Sequence, residues 1–146
     1  MITFLPYPDF HEVAACLDRQ RLGKQRLEVL ALLQAERGQP LYRHPACVMW
    51  RGHVAALASY GLAMCTRWMD DGNLDTLFDR IQQYLVGPIV TPPWLGRKDV
   101  HDSHKSVLLR KDRKYYGKFN WDVPINLPYV WPTCDDPRLF NCQRES

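Results

Sequence analysis

The sequence predicts an all-α protein: a compact single domain of about four helices, followed by an extended C-terminal segment rich in aromatic residues and proline. Three observations support this prediction. Apolar residues recur at helical spacing in four segments, glycine and proline mark the ends of those segments, and strand patterns are scarce. The length of 146 residues suits one domain, and 46% hydrophobic with 24% charged residues is ordinary for a folded protein.

The first predicted helix covers residues 10–36. Asp9 and Glu12 have the spacing of a capping pair at its start, and Gly38 follows its end. Gly23 lies inside this helix and indicates either a bend or a close approach to another element.

Three further helices are expected. The second covers residues 45–72 with proline at its first position, and the third is capped by Asn73 and extends to about residue 85. A proline-rich loop over residues 87–96 precedes the fourth helix, residues 99–111. From Tyr116 onward, proline and aromatic residues predict an extended wrap rather than regular structure.

Composition excludes several classes of protein. The longest uncharged stretches are interrupted by proline, so none reaches the ~20 apolar residues of a membrane-spanning helix, and the N-terminus lacks the basic start of a signal peptide. Five cysteines without a C-x-x-C pair argue against a zinc ribbon or a disulfide framework and favour reduced thiols. We therefore expect a cytoplasmic monomer, and the net charge of +3 permits an anionic partner.

The basic segment of the first helix contains the most informative group of residues. Helical spacing places Arg21, Lys24 and Glu28 on one face, with apolar residues further along it. Glu28 lies between the cations and the apolar residues of this face. It is a candidate general acid or base, or a candidate stabiliser of a cation formed during the reaction. The alternative is an ordinary surface glutamate paired with Lys24.

A second basic cluster extends from Lys105 to Lys118, with six cations, one acid and interleaved tyrosines. Cations that neutralise phosphates, alternating with rings that stack on bases, are typical of a nucleic-acid surface. The alternative is a solvated helix end whose rings belong to the core. His101 and His104, one turn apart, could bind a metal, but no acidic or cysteine partner accompanies them, which favours a phosphate-facing or positioning role.

The apolar N-terminus can pack against the fold and hold its amine in place. An α-amine ordinarily has a pKa of about 8, against about 10.4 for lysine, so far more of it is neutral near pH 7. A tethered α-amine is therefore a ready nucleophile for imine chemistry. Because Ile2 is bulky, we expect Met1 to be retained and to carry that amine.

In its order of motifs the sequence resembles the pyrimidine-dimer DNA glycosylases, the family typified by bacteriophage endonuclease V, and in particular a bacterial branch. The motifs are the N-terminal segment, the basic helix with Arg26-Leu27-Glu28, His44 before a long helix, a His-x-Ser-x-x-Ser-x-Leu stretch at residues 101–108 and Lys-Tyr-Tyr-Gly-Lys at residues 114–118. The phage-type resemblance covers residues 1–121, and residues 122–146 form the C-terminal wrap or tail.

The resemblance implies a DNA-repair glycosylase with AP-lyase activity, without metal or cofactor, that acts on pyrimidine dimers or a related lesion in double-stranded DNA. In the family the N-terminal amine attacks C1′ of the damaged nucleotide, forms an imine, and β-elimination cuts the strand. Met1 and Glu28 occupy the positions of the family's nucleophile and essential glutamate. This sequence departs from the family at three positions. The family's N-terminal amine belongs to a threonine, whereas here it belongs to Met1, and two phosphate-binding arginines of the family are replaced here by Leu27 and Ala31.

A set of basic and aromatic residues is expected to contact DNA. The candidates are Arg19, Arg21, Lys24, Arg26, His44, His101, His104, Lys105, Arg110, Lys111, Lys114, Tyr115, Tyr116 and Lys118. Two competing hypotheses remain at this point: a non-catalytic DNA- or RNA-binding module with the same fold, and a metal-dependent nuclease that uses the two histidines of residues 101–108.

Overall fold

A computed structural model describes residues 1–132, which contain seven α-helices, two short 3₁₀ helices and no strand. The all-α prediction is confirmed for this part of the chain. The helices are α1 (Phe10–Cys16), α2 (Arg19–Gln34), α3 (Pro45–Val48), α4 (Val54–Asp70), α5 (Phe78–Gln82), α6 (Lys98–Lys111) and α7 (Arg113–Tyr116), and the 3₁₀ helices are Pro40–Arg43 and Gly117–Phe119. Residues 133–146 of the predicted wrap lie outside the described residues. Within the described part, no helix has the length and apolar composition needed to cross a bilayer.

Two predicted helices are interrupted. The helix predicted over residues 10–36 is divided into α1 and α2, because Asp18 is extended and its side chain accepts the Arg21 N–H at 3.3 Å, which starts a new helix. The helix predicted over residues 45–72 is divided into α3 and α4 around Gly52, whose φ of 83° is left-handed.

The third predicted helix is much shorter than expected. Asn73 does not cap it, because its side-chain amide donates back to the Trp68 carbonyl at 3.1 Å. Asp75 instead accepts the N–H groups of Leu77 and Phe78, at 3.1 and 2.7 Å, and α5 begins there. The fourth predicted helix agrees with α6 to within one residue at its start.

Helices α2 and α4 form the most extensive pair, with α1 and α5 packed against α4. Two glycines permit the close approach. A Cβ on Gly61 of α4 would lie 2.6 Å from Val29 Cγ1, and one on Gly23 of α2 would lie 2.9 Å from the Trp68 ring. Of the bend and the close approach that Gly23 indicated, the structure shows the close approach. This pairing fixes α2, the basic helix, as the central support of the site.

Candidate functional site

The N-terminal segment is held in place by side chains of α2 and α4. Gln25 donates its Nε2 to the Ile2 carbonyl at 2.9 Å and accepts the Phe4 N–H on Oε1 at 3.1 Å. The hydroxyl of buried Tyr60 lies 2.7 Å from the Phe4 carbonyl and 2.8 Å from Gln25 Oε1. The chain is therefore fixed from its second residue onward, which determines where the Met1 amine lies.

His101 and His104 complete this clamp. Leu5 donates its N–H to His104 Nδ1 at 2.8 Å, and its carbonyl lies 2.8 Å from His101 Nδ1. His101 Nε2 accepts the Gly96 N–H at 2.9 Å, so His101 carries its hydrogen on Nδ1. Burial lowers the pKa of both rings, that of His104 to about 3, so both are neutral at physiological pH.

The predicted DNA contacts of these two histidines are therefore wrong: both rings are buried and anchor the N-terminal segment. The two histidines are also not available as metal ligands, which argues against a metal-dependent nuclease. In each ring one nitrogen accepts a hydrogen bond from a backbone N–H, and the other nitrogen carries the hydrogen, so neither has a free lone pair for a metal. Across residues 1–132, no three His, Cys, Asp or Glu side chains are grouped closely enough to hold a metal.

A cavity of about 250 Å³ lies between the N-terminus, α2 and the end of α6. It brings together residues that the sequence predicted to act together, on the face of α2 that helical spacing indicates. Its lining residues are Met1, Ile2, Phe4, Gln20, Arg21, Lys24, Gln25, Glu28 and Lys111.

Glu28 is half-buried in this cavity. One carboxylate oxygen accepts the Gln25 Nε2–H at 2.9 Å, so the residue that clamps the N-terminus also orients the glutamate. Burial raises the pKa of Glu28 above its ordinary value, against the opposing positive charges of Lys24 and the N-terminal amine. Glu28 is thus an enclosed carboxylate beside the amine, and not a fully solvated member of a surface pair.

Positive charge predominates in the cavity. Arg21, Lys24, Lys111 and the N-terminal amine face a single carboxylate, Glu28. Arg21 is held in place by Asp18, with Nη1 3.1 Å from Oδ1, whereas Lys24 and Lys111 are exposed. Such an excess suits an anionic ligand with several charges, such as the phosphates of a DNA strand.

His44 lies beside the N-terminus. The charge of the N-terminal amine lowers the pKa of His44, in addition to the larger effect of burial, so the ring is within electrostatic reach of that amine. Its Nδ1 accepts the Ala46 N–H at 3.0 Å, and the Trp131 ring packs edge-on against it at 5.8 Å. His44 is therefore close to the N-terminal amine, although its side chain does not line the cavity.

The remaining predicted cations are distributed over α2, α6, α7 and the 3₁₀ helix that follows α7. Arg110 is an exposed clamp for the C-terminal segment, because its Nη1 donates to the carbonyls of Ile125 and Leu127 at 2.6 and 2.9 Å. Lys118 lies over the half-buried Tyr115 ring at 3.9 Å, and Lys105 over Tyr7 at 5.4 Å. Of the cations that the sequence predicted to contact DNA, six are exposed: Arg19, Lys24, Arg110, Lys111, Lys114 and Lys118.

Two predicted DNA contacts are corrected because their side chains lie in the interior. Arg26 is buried, forms an ion pair with Asp75 and lies over the Trp68 ring at 4.3 Å. Tyr116 is fully buried, hydrogen-bonds through its hydroxyl to Asp18, and belongs to the core. Neither side chain is free to reach a phosphate or a base.

Sequence reasoning missed Gln25 and Tyr60, which position the N-terminus. Gln25 precedes Glu28 by three residues, so their proximity on α2 follows from helical spacing. Its contacts with Ile2 and Phe4 join residues more than 20 positions apart and have no local signature.

Comparison with known proteins gives one match. Residues 1–77, just over half of the chain, match the family model for pyrimidine dimer DNA glycosylase. No curated protein and no solved structure gave a significant match. The matched residues extend from the N-terminus through α4 to the start of the loop that precedes α5. They therefore include every lining residue of the cavity except Lys111.

Proposed function

Because this chain belongs to the pyrimidine dimer DNA glycosylase family, we propose that it is a DNA-repair glycosylase with AP-lyase activity on pyrimidine dimers or a related base lesion. The nucleophile in this proposal is the α-amine of Met1. Its partner is Glu28, as a proton donor and acceptor or as a stabiliser of the cationic intermediate.

One observation supports the proposal above the others: the N-terminal residue and Glu28 line the same cavity. The clamp by Gln25 holds both, since its Nε2 lies 2.9 Å from the Ile2 carbonyl and 2.9 Å from Glu28 Oε2. Holding a nucleophile and a proton-transfer group in a fixed relation is a large source of rate enhancement. A binding module gains nothing from an amine and a carboxylate arranged in this way.

The proposed reaction begins when the neutral amine attacks C1′ of the damaged nucleotide. A C1′–N bond forms, the bond from C1′ to the base breaks, and the base leaves with its electron pair and a proton. The nitrogen lone pair then displaces O4′, so that the C1′–O4′ bond breaks and O4′ takes a proton from the Glu28 carboxyl group or from water. The product is a protonated imine, whose positive charge the Glu28 carboxylate can stabilise. Removal of a C2′ proton then expels the 3′ phosphate by β-elimination, and water hydrolyses the imine to restore the amine.

The raised pKa of Glu28 suits this role, because a carboxyl group that titrates closer to neutrality exchanges protons more readily at physiological pH. Arg21, Lys24 and Lys111 would hold the phosphates on either side of the reacting sugar. The exposed cations Lys114 and Lys118 would extend the contact along the duplex, and double-stranded DNA is therefore the proposed partner.

Cleavage of defined duplexes tests the proposal. One duplex carries a single cyclobutane thymine dimer, a second carries an abasic site, and a third is undamaged. We expect cleavage of the first two with a β-elimination product and none of the third, without added metal. Binding to all three without cleavage of any would support the alternative, a non-catalytic DNA-binding module.

A further inference from the structure

A segment of the C-terminal part of the chain, residues 127–131, lies against α6 and is called the strap below. It has no regular secondary structure, but hydrogen bonds fix its backbone on the helix. The Leu127 N–H donates to Ser106 Oγ at 3.0 Å, and the Val130 N–H donates to Ser103 Oγ at 3.2 Å. Because the two serines lie about one turn apart on α6, the strap runs back along this helix toward its N-terminal end.

Tyr129 of the strap lies beside two of the side chains that hold the N-terminal segment. Its ring packs against His104, with the ring centroids 4.7 Å apart, and His104 Nδ1 accepts the Leu5 N–H at 2.8 Å. Burial raises the pKa of Tyr60, and the nearby Tyr129 hydroxyl contributes to the same rise. The Tyr60 hydroxyl in turn lies 2.7 Å from the Phe4 carbonyl. Tyr129 is thus packed on the clamp from outside.

Trp131 extends the strap toward the N-terminal amine. Its ring centroid lies 4.4 Å from that of Tyr129 and 5.8 Å from that of His44. Burial and, to a smaller extent, the charge of the N-terminal amine lower the pKa of His44, so this ring is close to the amine. Ring contacts therefore continue without a break from His104 through the two strap aromatics to His44.

The ring of Tyr129, and not its hydroxyl, makes these contacts. Among the described residues the hydroxyl is buried without a hydrogen-bond partner. A buried polar group that lacks a partner costs stability, whereas the ring gains packing. Phenylalanine at this position should therefore support the clamp as well as tyrosine does.

We propose that Tyr129 and Trp131 are positioning residues that keep the N-terminal segment, and with it the Met1 amine, in place in the cavity. The inference rests on the proposed function for the chemistry of that amine. A chain terminus tends to fray, and displacement of a reacting group by about 1 Å can lower a rate by about 10²-fold. The strap lies outside residues 1–77, which match the family model, and so its role does not follow from that match.

Amide hydrogen exchange tests the positioning without DNA. The N–H groups of Phe4 and Leu5 are bonded to side chains of the clamp, so their exchange reports on it. In Tyr129→Ala we expect these two amides to exchange about tenfold faster, while amides in the middle of α4 keep their protection. Tyr84→Ala removes a half-buried tyrosine from the turn after α5 and is the matched control, which should leave both amides unchanged.

Single-turnover borohydride trapping on an abasic duplex, at saturating DNA, then tests the amine. Tyr129→Ala should be trapped about tenfold more slowly with unchanged affinity for the duplex, because the nucleophile is displaced while the basic surface is kept. Tyr129→Phe retains the ring and should be trapped at the wild-type rate. Trp131→Ala is the second variant, in case Tyr129→Ala does not fold, and should also be trapped more slowly.

Two results would overturn the proposal. One is wild-type exchange at Phe4 and Leu5 together with wild-type trapping in the alanine variants. The other is faster exchange at all amides alike, with trapping reduced only in proportion to the unfolded fraction, which is the result of a general loss of core packing. A wild-type protein that is never trapped would refute the proposed chemistry, and exchange at Phe4 and Leu5 would then still decide whether the strap holds the N-terminal segment.

Discussion

Replacing Glu28 by glutamine removes the charge and the proton-transfer capacity of the cavity's carboxyl group while keeping its size. The glutamine oxygen can still accept the 2.9 Å hydrogen bond from Gln25, so the clamp on the N-terminus remains. We expect the rate of lesion cleavage to fall by about 10²–10⁴-fold, the range for loss of a general acid or base, or ~2.7–5.4 kcal/mol of transition-state stabilisation. Binding to lesion DNA should hold or tighten, because a negative charge facing phosphates is removed.

The effect on stability follows from the direction of the pKa shift. Burial raises the pKa of Glu28, so the folded protein binds this proton more tightly than the unfolded chain does. That contribution to stability is present below the ordinary pKa of glutamate, ~4.3, and is lost as the pH rises through the raised value. At pH 7 the ionised Glu28 therefore slightly destabilises the fold, and glutamine should leave the melting temperature unchanged or raise it.

The magnitude is small because Glu28 is only half-buried: at most about 1 kcal/mol, or ~2–4 °C in melting temperature for a chain of this size. The assay compares single-turnover cleavage of an abasic duplex with thermal melting, and Glu36→Gln, an exposed glutamate beyond α2, is the control. A folded Glu28→Gln protein that cleaves at the wild-type rate would refute the catalytic role. Parallel losses of stability and activity would show that the residue is structural.

Three further outcomes are expected. Lys111→Ala should flatten the log–log salt dependence of duplex binding by about one unit, since one phosphate contact is lost, whereas Lys98→Ala at the other end of α6 should leave it unchanged. Tyr116→Phe removes the hydroxyl that bonds to Asp18, and chemical denaturation should show a loss of about 1–3 kcal/mol, with cleavage per folded molecule preserved. Burial lowers the pKa of His104 to about 3, so between pH ~6.5 and pH 3 the folded protein binds fewer protons than the unfolded chain does. The melting temperature should therefore fall as the pH is lowered from 7 to 4, and this fall should be less steep in His104→Asn.

The sequence was sufficient for features that depend on local spacing. The 3.6-residue period places Arg21, Lys24 and Glu28 on one face of α2, and the structure places all three in the same cavity. The division between α1 and α2 was also encoded locally, by Asp18, but an aspartate inside a helical pattern is not a sufficient signal for a new cap.

Features that depend on distant contacts could not be predicted. Arg26 belongs to the basic strip by sequence, but Asp75, 49 residues away, binds its guanidinium in the interior. By sequence, His101 is a candidate metal ligand or phosphate contact, but in the structure its Nδ1 bonds to the carbonyl of Leu5, which is 96 residues away in the chain. In each case a polar side chain is buried because a partner from another element satisfies its hydrogen bonds, and that partner is unknown before the chain is folded.

Borohydride trapping followed by peptide mapping tests the central proposal most directly. The cavity contains three primary amines that could form an imine: the α-amine of Met1 and the side chains of Lys24 and Lys111. We expect reduction in the presence of an abasic duplex to give a covalent protein–DNA adduct on the first residue, retained in Lys24→Ala and abolished by selective acetylation of the α-amine. An adduct on either lysine, or no adduct at all, would contradict the assignment of the N-terminal amine as the nucleophile.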